Sequence, residues 1–226
     1  AGGGRNPRPG EITLAHRGVL FLDEMPEFSR RSLEILRQPL EDKVIRISRV
    51  YGTYDFPADF MLCAAMNPCP CGHYPDMNRC RCTPAQVMQY LGRISQPLLD
   101  RLDLCAEVSP VDFEGLSSGR KGESTQTIRE RVICAQDIQR ERYKIEGIQF
   151  NGELSGAQIE KYCKMEKDAR QLLKMAFQNM PFSARAYHRI LKVARTIADM
   201  EATESIHRHH IAEALSYRAF DKKYWN

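Results

Sequence analysis

Two acidic side chains stand side by side in the stretch GVLFLDEMPEF, residues 18–28. Asp23 and Glu24 follow the apolar run Val19–Leu22 without a spacer, and Pro26 breaks the chain just beyond them. Adjacent carboxylates repel each other and resist leaving water, so at the end of a buried strand they call for a positive partner. A hydrated magnesium ion is such a partner. One acid holds it through water, and the other orients and polarises a water that attacks a bound triphosphate. The plain alternative is a strand leaving the core, with Asp23 capping the next helix.

Three further residues can join that chemistry. The run FMLCAAMNP ends in Asn67, an uncharged amide able to align the same water and sense a terminal phosphate. An Asx turn before Pro68 explains Asn67 equally well. In QPLLDRLDL, Arg101 sits between Asp100 and Asp103. It is either a surface ion pair of little value or a planar cation offered to a neighbouring subunit's phosphates. SARAYHRILKVARTIAD opens a helix with Arg185 in its first turn. The helix dipole disfavours a cation there, which suits an anionic partner or a solvated side chain.

The stretch CPCGHYPDMNRCRC gathers Cys69, Cys71, Cys80 and Cys82, half of the chain's 8 cysteines. Two C-x-C pairs can place four thiolates around a tetrahedral ion, and zinc is the default for a small Cys₄ loop. His73 can replace one thiol, while an iron–sulfur centre lacks supporting spacing. A disulfide-stapled or oxidised loop is the alternative. A structural ion would fold a loop that has too little core of its own. The other cysteines, Cys63, Cys105, Cys134 and Cys163, are scattered and no secretory signal precedes them, which points to a reducing, cytoplasmic compartment.

These residues need elements to carry them. With 226 residues, 42% hydrophobic and 27% charged, the chain has the composition of a globular protein with one large or two small cores. A net charge of +4 is too mild to identify a nucleic-acid binder, and no apolar run is long enough to span a bilayer. Residues 1–110 alternate short apolar runs with helical or irregular segments, an α/β pattern. Strands are expected at Val19–Leu22, Val44–Ser48, Tyr51–Phe56, Phe60–Ala65 and Leu104–Val108, with a hairpin around Val50–Gly52. Leu33, Leu36 and Leu40 mark one helix between the first strand and that hairpin. Residues 111–123 read as a polar, glycine-containing linker. Residues 124–226 are helical throughout, a bundle of four or five helices with a capping box at Ser155–Gln158 and an N-cap at Ser183.

The stretches PRPGEITLAHRGVLFLDEMPEF, AAMNPCPCG, LLDRLDL and SARAYHRILKVARTIADM follow one another in order. Together they resemble the magnesium-chelatase-like AAA+ ATPases of the ComM (YifB-type) family over nearly the whole chain. The resemblance implies a partial AAA+ P-loop-type core with a β-hairpin insertion, followed by an all-α lid domain. It implies that Asp23 and Glu24 form Walker B, Asn67 is sensor 1, Arg101 is the arginine finger and Arg185 is sensor 2. The hairpin Val44–Phe56 would face a central pore, with Arg46 and Arg49 touching DNA phosphates unless they are simply solvated. The implied whole is a ring, a hexamer, that uses ATP and Mg²⁺ to remodel DNA in the manner of a helicase or branch-migration motor. Two rivals remain: a chelatase motor that inserts Mg²⁺ into a porphyrin with its partner subunits, and a non-enzymatic, zinc-stapled interaction module.

A phosphate-binding loop of the form G-x-x-x-x-G-K-[ST] is expected of such an ATPase, yet the dipeptide Gly-Lys occurs nowhere in the chain. The resemblance puts that Walker A segment upstream of residue 1, its strand lying between those of Asn67 and Leu104–Val108. Ala1, in place of an initiator Met, fits an excised piece of a longer protein. The expectations are very weak ATP binding by this chain alone and a rearranged, strand-exchanged or poorly ordered sheet in place of five parallel strands.

Overall fold

The computed structural model describes residues 2–3, 7–50, 52–109, 113, 117, 122–180 and 182–218. The chain divides into two compact units, Ala1–Leu102 and Asp103–Phe220. Most of the stretch 111–123, read as a linker, lies outside the described residues, as does Tyr51.

In the first unit, strand β1 (Val19–Leu22) pairs in parallel with a later strand, Met61–Ala64, in the register Val19↔Met61 through Leu22↔Ala64. Between them lie helices α1 (Arg30–Ile35) and α2 (Arg37–Asp42) and a hairpin of β2 (Val44–Arg49) and β3 (Gly52–Pro57); Met61–Ala64 is therefore β4. The single helix expected over Leu33–Leu40 is split at Leu36. Pro39 has no N–H to give the carbonyl four residues back, so one continuous hydrogen-bond ladder cannot form. Leu33 and Leu36 are nonetheless buried in one core with Ile45, Ile47 and Met25.

The uninterrupted apolar run Val19–Leu22 suits a strand covered on both faces. Its burial alternates instead: Leu20 and Leu22 pack on the core, while Val19 and Phe21 are 54% and 58% exposed and Met61 of β4 is 63% exposed. Among the described residues no second layer covers that face, although a parallel sheet is ordinarily buried on both. Leu104–Val108 forms no strand. A strand needs a neighbour to take its backbone groups. Here Cys105 N–H donates to Tyr217 O at 3.1 Å, and Leu104 and Val108 stay exposed. The described parallel sheet thus has two strands rather than five.

The hairpin runs antiparallel from Val44↔Pro57 to Arg49↔Gly52. Ile45 and Ile47 point into the core, so Arg46 and Ser48 face outward by the alternation of a strand. Arg46 grips Asp55 on the facing strand with both arms of its guanidinium, at 2.9 and 3.0 Å. Two further helices, α3 (Pro84–Leu91) and α4 (Gln96–Leu99), follow β4 within this unit.

The second unit holds α5 (Thr125–Arg142), α6 (Gly156–Tyr162), α7 (Lys167–Asn179), α8 (Ala184–Met200) and α9 (Arg208–Ser216). Both anticipated caps are present. Ser155 N–H donates to Gln158 Oε1 at 2.9 Å, and Ala186 N–H donates to Ser183 Oγ at 3.2 Å. Leu173, Ile190, Leu191, Ile206 and Ile211 make the apolar core. Through it runs a buried polar network centred on Asp199, 1% exposed, which accepts from Arg142, Arg195 and Asn151.

Glu146 ties the end of α5 to α6. Its carboxylate accepts from Lys161 Nζ and Tyr162 OH at 2.6 Å each and from Gln158 Nε2 at 3.0 Å. These bonds, led by Lys161, lower its pKa from 4.5 to about 2. A carboxylate depressed on folding stabilises fully above its unfolded pKa and loses that contribution as pH falls through the folded one. Urea unfolding of the chain and of Glu146→Gln should therefore differ at pH 7, with the gap closing between pH 4.5 and about 2. A gap independent of pH contradicts this assignment.

Candidate functional site

β1 and β4 are parallel, so their carboxyl ends lie on one side of the sheet, and both candidate segments leave from there. Asp23 and Glu24 follow Leu22 directly, and both are exposed. Asp23 Oδ1 accepts from Glu24 N–H at 2.9 Å, a local turn bond rather than a helix cap. Glu24 has φ 48° and ψ 47°, the left-handed region, which costs a side-chain-bearing residue roughly 1–2 kcal/mol. The neighbouring strand end holds it there: Ala65 N–H donates to Leu22 O at 2.9 Å, and Met25 N–H donates to Ala65 O at 3.0 Å. Met25 and Pro26 are then buried, so the chain turns inward and leaves the two carboxylates outside. Among the described residues neither acid makes an ion pair. A strained turn that presents two uncompensated carboxylates is a suitable seat for a hydrated cation.

Asn67 lies at the same end of the sheet, three positions after β4, and is exposed. Its amide sits beside Gly72: a Cβ at Gly72 would lie 3.9 Å from Asn67 Cγ and Oδ1. Gly72 has φ +79°, so glycine suits the turn that brings this backbone past the Asn67 side chain.

The arginines are placed differently. The Arg101 side chain is 7% exposed and turned into the first unit. It donates to Glu41 Oε2 at 2.8 Å, to Arg37 O at 3.1 Å and to Pro97 O at 2.6 Å, so all three guanidinium nitrogens are engaged. Of its flanking acids, Asp103 pairs with Arg189 within the second unit. Arg185 lies in the second unit, exposed, in the first turn of α8 behind the Ser183 cap.

The four clustered cysteines converge. Their sulfurs all lie within 4.8 Å of one another. Cys69 Sγ is 3.4 Å from Cys71 Sγ and 3.8 Å from Cys80 Sγ, and Cys71 and Cys80 are 3.6 Å apart. A tetrahedron with zinc–sulfur bonds of about 2.3 Å has edges of about 3.8 Å, so the thiols present fit that ion. All four are free, against the disulfide-stapled alternative, and exposed His73 is outside the set. Four adjacent sulfurs cannot all ionise without a cation among them. Backbone N–H groups of Arg81 and His73 hold the Cys71 thiol down to about 6, while burial and the neighbouring sulfurs push Cys82 up to about 12.

Sequence reasoning overlooked α3 and its far end. Thr83 caps this helix reciprocally with Gln86, at 2.8 and 3.3 Å, and Pro84 opens it; the pattern Thr-Pro-x-Gln was the available signal. Beyond α3, Arg93 donates to Pro26 O at 2.8 Å and to Glu27 Oε2 at 3.1 Å, on the turn that follows the acids. Burial, and then the Glu27 and Glu24 carboxylates, push the Tyr90 hydroxyl up, which puts that ring close to the same turn.

A second cluster, Glu201, His209 and His210, has metal-like spacing in the second unit. Its chemistry is different. His210 Nδ1 accepts from His207 N–H at 3.0 Å, which leaves the ring proton on Nε2, donated to Glu201 Oε2 at 3.0 Å. Both nitrogens are committed, and buried His210 serves as a helix cap.

Comparison with known proteins bears on the family of the chain. Residues 1–116 match the family described as "Magnesium chelatase, subunit ChlI", and residues 122–218 match "Magnesium chelatase, subunit ChlI C-terminal". YifB of Salmonella typhimurium is 48% identical over 98% of this chain and 43% of its own length. YifB of Escherichia coli is 46% identical over 98% and 43%. "Competence protein ComM" of Haemophilus influenzae is 48% identical over 96% and 42%. The chain spans less than half the length of these relatives. Similar to ComM and YifB nearly from end to end, it belongs to the magnesium chelatase subunit ChlI family.

Proposed function

We propose that the chain carries the metal-and-water half of an AAA+-type ATP-hydrolysing site, completed in the longer protein by a preceding phosphate-binding segment. The observation that carries this reading is the Glu24 turn: two adjacent carboxylates, without an ion pair among the described residues, at the carboxyl end of a parallel strand beside β4, which Asn67 follows by three positions. In this reading Asp23 holds Mg²⁺ through water, Glu24 takes the proton of the attacking water, and Asn67 aligns that water. Bound Mg²⁺ supplies charge neutralisation at the phosphates. Arg185 binds phosphate from the first turn of α8. Arg101 acts on a neighbouring protomer of a hexameric ring, for which its guanidinium must first leave Glu41. Zinc is the structural ion of the Cys₄ loop.

The remodelled substrate in this reading is DNA. The 48% identity to a protein named for competence supports it. The hairpin would touch phosphates through Arg49 and through Arg46, and for Arg46 the phosphate must compete with Asp55. A chelatase-type motor that works with porphyrin partner subunits is the second reading, supported by the family description over residues 1–116. ATP hydrolysis by the longer protein separates them. Stimulation by single-stranded or branched DNA supports the first reading, and stimulation only by porphyrin partner subunits supports the second. No hydrolysis under either condition removes both and leaves an interaction module.

A further inference from the structure

We propose that a zinc-class divalent ion held by Cys69, Cys71, Cys80 and Cys82 braces Asn67 against the Asp23–Glu24 turn, so that metal occupancy sets the alignment of the candidate site. The naming of Asn67 and Glu24 as site residues rests on the ATPase reading; the mechanical linkage does not.

The four sulfurs come from two segments that lead to opposite sides of the site. Cys69 and Cys71 belong to the backbone that leaves Asn67, with only Pro68 between Asn67 and Cys69. Cys80 and Cys82 end immediately before Thr83, the cap that fixes the start of α3. The far end of α3 brings Tyr90 and Arg93 to the turn after Glu24, where Arg93 grips Pro26 O and Glu27. An ion among the sulfurs therefore closes a ring: Asn67, Cys69, the metal, Cys82, α3, Arg93, Pro26, Glu24.

Two features make the ion the decisive joint of that ring. The chain between Cys71 and Cys80 is almost wholly exposed, so burial alone gives it little hold. The core beneath it is small: Cys69, Val87, Tyr90 and Leu91 are its buried members. Met66 packs both on this small core and on the larger core under the sheet, so loosening of one is felt at the other. Gly72, from the same loop, lies against the Asn67 amide, so a shift of the loop moves the surface on which Asn67 rests.

Hydrogen exchange of the whole chain tests the brace without any nucleotide, so its outcome is separate from that of the hydrolysis reading. The chain as purified should carry about one zinc, and chelation should speed amide exchange about tenfold or more in two places at once, Asn67–Gly72 and Met25–Glu27. Zinc that does not bind, or exchange that rises only within 68–83, overturns the proposal. If chelation unfolds the whole unit, Arg93→Ala in the zinc-loaded chain decides the matter. The brace requires faster exchange at Met25–Glu27 with zinc retained and Cys69–Cys82 still protected; an unchanged turn refutes it.

Discussion

Glu24→Gln in the longer protein should keep nucleotide binding and lower ATP turnover by about 10²–10⁴-fold, the range that a positioned general base contributes. Glutamine matches glutamate in size and can still accept a hydrogen bond, but it cannot take the proton of an attacking water. The side chain is exposed and bears no ion pair among the described residues, so folding stability should change by no more than about 0.5 kcal/mol. The strained backbone at φ 48° is common to both side chains and stays in place. Asp23→Asn should act differently, weakening metal affinity first. Turnover within about tenfold of the parent removes Glu24 from the chemistry.

Asp199→Ala should have the largest effect on folding. Asp199 is buried between two arginines, with Arg195 fully buried and Arg142 largely so. Asn151 Nδ2 donates to Asp199 at 2.8 Å while its Oδ1 accepts from Tyr143 OH at 2.6 Å, so four residues lose their arrangement together. Removing one partner of a buried ion pair costs about 3–5 kcal/mol, because the remaining charge keeps its desolvation cost without compensation. A domain's whole stability is about 5–15 kcal/mol, so the helical unit should melt more than 10 °C earlier. Thermal unfolding followed by circular dichroism checks this. A loss below about 1 kcal/mol shows that water or a shifted side chain compensates both arginines.

Local patterns told most where the determinants were local. The run Val19–Leu22 ending in Asp23–Glu24, the β-branched hairpin, the C-x-C pairs and the Ser155 and Ser183 caps all depend on neighbours within a few positions, and all formed. Where pairing is distant, the sequence was silent. Leu104–Val108 has strand-forming residues but no strand beside it among the described residues, and β propensity without a partner builds nothing. Arg101 stands between two acids in sequence yet bonds Arg37 O, 64 positions away, and Glu41 beside it. Arg93 reaches Pro26 across 67 positions, which no helical or strand period announces. The break at Leu36 was readable from Pro39 but was outweighed by the leucine spacing.

In the proposed site Asp23 and Glu24 face a metal-bound nucleotide in the longer protein. Electron paramagnetic resonance of Mn²⁺–ATP, titrated with that protein and with Asp23→Asn, tests it most directly. A bound-manganese signal is expected, with an apparent affinity that falls at least about tenfold in Asp23→Asn, because a carboxylate holding the metal's water shell is lost. Equal manganese affinity for both proteins contradicts it.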